Sequence, residues 1–337
     1  MKNVERSEIP ISKAPSGSNA SKYSHLKKKF TRILQQLEPY LKKQNYEPNT
    51  IRQFKNYTAC FLDWQKLQKL EQVNYNDLLI YIDYCREKGD SLKLINRKLS
   101  AIRKYYEYLQ SKGETLKNPA SGLFLKGKRS SVPNNLLDKK ELQELYNQYQ
   151  PYDLRTTRNK IILSLLINQA VTTDELHKLE PGHIKLKSGK IEIPGGKHSN
   201  GRTLELEANQ IIELQVYLNE IRPAILKAIR ETPNWSGRKA EKPDFKRLEN
   251  QLIISVNGST NIKNSQHHLI KALQQINPKA RSCGQIRQSV IAEWLKIEDV
   301  RKVQYKAGHR YVSTTERYQT NNLEDLQEAL NIHHPLK

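Results

Sequence analysis

Residues 307–319 read AGHRYVSTTERYQ. The stretch pairs Gly308 with His309, runs through Ser313, Thr314 and Thr315, and sets Tyr318 nine residues beyond the histidine. A tyrosine in a helix is usually structural, and the chain holds 17 of them, so Tyr318 by itself says little. It gains meaning from a set. Arg287, in GQIRQSVIAEWL, precedes His309 by 22 residues, and Lys197 lies on a Gly-rich turn five residues before Arg202.

The rest of the chain sets the context. In 337 residues, Lys and Arg number 57 against 35 Asp and Glu, a net charge of +22. Such an excess points to a polyanionic partner, because each cation set against a phosphate releases a condensed counterion. No apolar run approaches the ~18 residues of a membrane span, and no amphipathic helix carries a large exposed aromatic face, so nucleic acid is favoured over a membrane. Cys60, Cys85 and Cys283 are odd in number and widely spaced, which argues against disulfides and against a zinc site. Cys283 reads as a small buried thiol, and the tail pair His333 and His334 as solvent-exposed. The opening MKNVERSEIPISKAPSGSN lacks an apolar core of the secretory kind, so a cytoplasmic protein is expected.

Periodicity then divides the chain. Residues 1–22 read as a disordered polar tail. From Ser24 the pattern is helical: Leu26, Phe30, Ile33 and Leu37, then Ile51, Phe54, Tyr57, Phe61 and Trp64. Asn76 is expected to cap DLLIYIDYCREKG, with Gly89 at its end. In SLKLINRKLSAIRKYYEYLQSKG, Leu92, Ile95, Leu99, Ile102, Tyr106 and Leu109 step by three and four. Lys93, Arg97 and Lys104 share another face, read either as a solvated charged face or as DNA contacts. A basic linker at 126–135, with Lys126, Lys128 and Arg129, separates this helical module (23–125) from a second domain (136–337). There RNKIILSLLINQAVTTDELHKL reads as helix. HIKLKSGKIEIPGGKHSNGRTLELE reads as short strands and tight turns, and from Ala208 the pattern returns to helix.

The segment AGHRYVSTTERY resembles the GH…TT..Y box of the tyrosine recombinases, or phage-type integrases. Helical module, basic linker, hairpin lysine, arginine helix and box resemble that family over nearly the whole chain beyond the tail. The resemblance implies a mainly α fold: an N-terminal four-helix, SAM-like core-binding domain, then a mixed α/β catalytic domain of the DNA breaking-rejoining type with a small antiparallel sheet. It implies Tyr318 as nucleophile, Arg287 and His309 on the phosphate and Lys197 as proton donor, acting on double-stranded DNA with neither metal nor cofactor. Metal-free phosphodiester cleavage needs these parts: a nucleophile, an acid for the leaving oxygen, and donors on the non-bridging oxygens. The resemblance further implies a tetramer on DNA, with or without a second recombinase. The segment NNLEDLQEALNIH would then be a short helix docking on its own domain or on a neighbour.

Two positions depart from the family pattern. Its first arginine falls on Thr172 in QAVTTDEL, and the histidine of its HxxR motif falls on Gly284. Threonine supplies one neutral hydrogen bond and no charge. Losing one preorganised donor costs about 2.7–4 kcal/mol at the reacting centre, so a replacement is needed. Arg202 and Lys178 are the candidate substitutes for the arginine, and Gln288 or a water for the histidine. The alternative function is a DNA-binding relative that does not cut and assists an active recombinase.

Overall fold

The computed structural model describes residues 30–65, 73–115, 117–127, 135–196, 199–231 and 243–318. The chain divides into two compact units, residues 1–129 and 130–337. Several sequence expectations lie outside the described residues: the tail 1–22, Leu26, Lys197, Lys128, Arg129, and the segment 321–333 with His333 and His334.

In the first unit four helices are described: α1 (Thr31–Lys43), α2 (Pro48–Gln65), α3 (Tyr75–Glu87) and α4 (Leu92–Ser111). The stripe read along α4 is the face that packs, with Ile95, Leu99, Ile102, Tyr106 and Leu109 all buried. It meets Leu37 and Leu41 of α1, Phe61 and Leu62 of α2 and Tyr81 and Ile82 of α3. Each such side chain contributes roughly 1.5–3 kcal/mol by leaving water. Phe61 stands edge-on to Tyr81 at 5.4 Å, which fixes how α2 and α3 meet.

The cap of α3 is Asn74, not Asn76. Asn74 Oδ1 accepts from the Asn76 and Asp77 amides, and Asp77 Oδ2 accepts from the Asn74 amide at 2.9 Å. Asp77 is the third helical residue only when counted from Asn74, so the reciprocal box selects that start. At the other end Gly89 takes φ 75°, a left-handed value that suits glycine.

Lys93, Arg97 and Lys126 are exposed, whereas Lys104 is half-buried and paired with Glu107 at 2.6 Å. The segment after α4 is pinned to it. Asn96 exchanges two bonds with the Leu125 backbone (2.9 and 3.0 Å), and Arg103 donates to the Ala120 and Leu123 carbonyls.

The second unit runs α5 (Lys139–Gln148), α6 (Leu154–Gln169), α7 (Thr173–Lys178), β1 (Ile184–Lys185), β2 (Lys190–Ile193) and β3 (Arg202–Glu205). It continues with α8 (Ala208–Val216), which passes through a π turn into α9 (Arg222–Glu231). Then come α10 (Phe245–Asn250), α11 (Lys263–Ile276), α12 (Cys283–Leu295), α13 (Val300–Ala307) and a final helix, α14, over 312–318. The sheet is antiparallel in the order β1-β2-β3, with Ile191 opposite Leu204 and Ile193 opposite Arg202. Ile161, Leu165 and Leu166 of α6 and Ile286 and Val290 of α12 form part of one core with the inward face of the sheet.

The expected helix over 158–179 is interrupted. Ala170 adopts φ 47° and ψ 41°, and Thr172 opens a new helix with Glu175 in a capping box. The three cysteines are free thiols, and burial raises that of Cys283 to about 11. Among the described residues no helix is long and apolar enough to cross a membrane.

Candidate active site

Four pieces of the second unit converge: the α6–α7 break, β3, the first turns of α12, and the stretch from the end of α13 into α14. Arg287 is the hub. It stands one turn into α12, where Ser282 caps by accepting from the Gln285 amide at 3.1 Å. One guanidinium nitrogen donates to the Ala170 carbonyl, the other to the Ala307 carbonyl at 2.6 Å. Each acceptor lies at a helix C-terminus, α6 for Ala170 and α13 for Ala307. Each helix turns off through a left-handed residue: Ala170 itself, and Gly308 at φ 67°. Unpaired carbonyls and the negative helix end favour a cation at such places. That is how an arginine sits here with no carboxylate hydrogen-bonded to it among the described residues. Burial is the larger influence, however, and lowers its pKa to about 10, against the attraction of Glu175.

Behind Arg287 lies a buried ion pair. Arg202 of β3 holds Glu175 of α7 bidentately, at 2.6 and 3.2 Å, with side-chain exposures of 0% and 2%. Glu175 also accepts from the Thr172 amide at 2.7 Å, and Thr172 Oγ1 accepts from the Glu175 amide at 3.1 Å. Burial works to raise the Glu175 pKa, but the guanidinium outweighs it and the carboxylate lies below its ordinary value. Arg202 Nε is buried and has no partner among the described residues. Gly308 is required against this pair, because a Cβ there would come within 2.5 Å of Arg202 Nη1 and 3.0 Å of the Asn200 carbonyl.

The β2–β3 hairpin is tied to the same place from both sides. The Asn200 amide donates to the Gly308 carbonyl at 2.9 Å, Ser199 bridges His309, and Arg310 donates to the Gly196 carbonyl at 3.2 Å. The rings of His309 and Tyr318 lie nearly parallel, 12° apart, with centroids at 6.3 Å. His309 Nδ1 is 2.9 Å from Thr315 Oγ1, whose side chain is fully buried. Burial first, then Arg287 and Arg202, push His309 down to about 4, so it is neutral near pH 7. Burial raises Tyr318, with Arg287 and Arg317 pulling the other way.

The structure thus gathers Arg287, His309 and Tyr318, which sequence reasoning had singled out, and sets Arg202 and Glu175 beside them. Lys197 lies outside the described residues. Lys178 is exposed, its Nζ 3.5 Å from the place a Cβ would take on Gly196, and Arg202 lies close enough for its charge to act on Arg287 and His309. The Thr172 hydroxyl is spent as a helix cap. Gly284 is exposed, and a Cβ there would meet only Ser282 Oγ at 3.8 Å. Gln288 is half-buried. Sequence reasoning missed the Ala170 and Ala307 carbonyls, the Thr315 bond and the Arg202–Glu175 pairing. None of these had a signal of its own; Thr-x-x-Glu at 172–175 marks only the capping box that carries Glu175.

Comparison with known proteins adds an independent line. Residues 34–113 match the family model of the phage integrase N-terminal SAM-like domain. The chain is 26% identical over 314 residues to tyrosine recombinase XerC of Lactobacillus delbrueckii subsp. bulgaricus, covering 90% of this chain and 99% of that protein. To tyrosine recombinase XerC of Bacillus subtilis it is 24% identical over 301 residues, covering 87% and 92%. Its fold is similar to that of the XerH site-specific recombinase bound to a palindromic difH substrate, a post-cleavage complex. The TM-score is 0.64 at 17% identity, over 94% of this chain and 89% of that one.

Proposed function

We propose that the chain is a member of the tyrosine recombinase family, to which it is similar over about nine-tenths of its length, and that it is a site-specific DNA recombinase that cuts and rejoins strands through Tyr318. The observation that carries this reading is the parallel placement of His309 and Tyr318 beside Arg287. Tyr318 Oη attacks phosphorus, its proton passing to solvent, and the bond to the 5′ oxygen breaks as Lys197 protonates that oxygen. A 3′-phosphotyrosyl ester results. Attack by the 5′ hydroxyl of another strand reverses the step, so no energy source is needed. Arg287 and His309 donate to the non-bridging oxygens.

Arg202 supplies the charge that Thr172 lacks. Two observations support this assignment: Arg202 lies close enough for its charge to act on both Arg287 and His309, and its Nε is buried with no partner among the described residues. The chain works on double-stranded DNA in a tetramer, formed by itself alone or with a second recombinase.

A second reading, a DNA-binding relative that does not cut, is favoured by one observation: Glu175 already neutralises Arg202. One experiment separates the two. A duplex enriched by binding from a randomised pool is nicked near its centre, incubated with the protein and run on a denaturing gel. The recombinase reading expects a covalent protein–DNA band that disappears in Tyr318→Phe while binding persists. Binding with no covalent band in the wild type supports the second reading.

A further inference from the structure

The proposed reaction asks His309 to donate a hydrogen bond to phosphate, and a neutral imidazole carries only one ring proton. Which nitrogen holds it decides whether the ring can serve. Nδ1 faces Thr315 Oγ1 at 2.9 Å, whereas Nε2 has no hydrogen-bond partner among the described residues. A proton on Nδ1 would be spent on the threonine, and the ring would present a bare acceptor at Nε2.

Thr315 decides between these states. It is fully buried, so water does not reach its hydroxyl. Threonines in helices commonly return their hydroxyl proton to the carbonyl four residues back, as Thr157 does to the Asp153 carbonyl at 2.8 Å. Thr315 makes no such bond among the described residues, and His309 Nδ1 is its one acceptor. If Nδ1 carried the proton, the hydroxyl hydrogen would be buried without an acceptor, which costs about 1–3 kcal/mol. With the proton on Nε2, the hydroxyl donates to Nδ1 and every buried group is satisfied. Thr315 also lies three residues before Tyr318 on α14, so the two share a helix face. The same bond therefore ties the nucleophile's helix to the histidine.

We propose that Thr315 is a positioning residue that fixes the tautomer of His309, donating its hydroxyl proton to Nδ1 and leaving the ring proton on Nε2 to meet the scissile phosphate. The phosphate-facing half of this statement rests on the recombinase reading. The tautomer itself does not, and it can be read in the free protein.

The test is nitrogen-15 NMR of His309 in full-length protein labelled at histidine, near pH 7 and without DNA. Wild type, Thr315→Val and Thr315→Ser are compared, the resonance being assigned with His309→Gln. The expected result is a proton on Nε2 in the wild type, a shift toward the Nδ1-protonated or mixed form in Thr315→Val, and restoration in Thr315→Ser. On the nicked duplex, covalent product in Thr315→Val should form about a hundredfold more slowly, the size of losing one preorganised donor, with binding unchanged and Thr315→Ser near wild type. A merely structural threonine would change folding and leave the ring proton in place. A wild-type ring protonated on Nδ1, or one that keeps its Nε2 proton in Thr315→Val, overturns the proposal, and the first of these needs no variant to fold. Loss of covalent product in the wild type with the Nε2 proton in place would count against the recombinase reading instead.

Discussion

Arg287 is held by two backbone carbonyls rather than by a carboxylate, and this choice leaves its charge available. A guanidinium has five N–H groups. Two bonds position it, and the remaining donors and the uncancelled charge can meet an incoming phosphate. Arg202 differs, because Glu175 already balances much of its charge. At this scale the box residues were legible, since their spacing is short and local. The Arg202–Glu175 pair was not, because its members are 27 positions apart with two strands between them. Thr172 was read as a missing arginine, yet it is also a helix cap. Thr172→Arg should therefore remove the cap, at a cost of about 1 kcal/mol, with no gain in cleavage while Arg202 holds the place. Denaturant unfolding and the rate of covalent product check this. A rise in cleavage would show that Arg202 does not substitute.

Among the elements, helices with a steady three-and-four spacing, such as α4, could be read from the sequence because one face is the core. The α6–α7 break could not, because Ala170 has no preference for the left-handed region it occupies. Tertiary structure imposes that turn: it points the Ala170 carbonyl at Arg287 and lets Thr172 start α7. An L-residue there costs about 1–2 kcal/mol, while glycine costs about 0.4–1 kcal/mol through the unfolded chain. Ala170→Gly should thus gain roughly 0.5–1 kcal/mol, read as a higher urea midpoint at unchanged slope. Ala170→Val should lose stability, because a branched Cβ crowds the turn. A destabilised glycine variant would mean that the backbone at 170 is unstrained.

For the whole molecule the net charge of +22 predicts binding to DNA that weakens steeply with salt. Each phosphate contact contributes about 0.9 to the slope of log K against log salt. Lys93→Ala, Arg97→Ala and Lys126→Ala should each lower that slope by about 0.9. Lys104→Ala should lower it by less, because Glu107 already pairs with that lysine. Titrations at several salt concentrations decide this, and slopes equal to wild type would move the DNA to another face. Charge and the two-module order were legible from composition and periodicity. The carbonyl acceptors that hold Arg287 were not, since they depend on how separate helices end. The most direct measurement is mass spectrometry of tryptic peptides from the covalent complex formed on the nicked, pool-selected duplex. A nucleotide linked through phosphate to Tyr318 is expected; an adduct on another residue, or none where the duplex is bound, would overturn Tyr318 as the nucleophile.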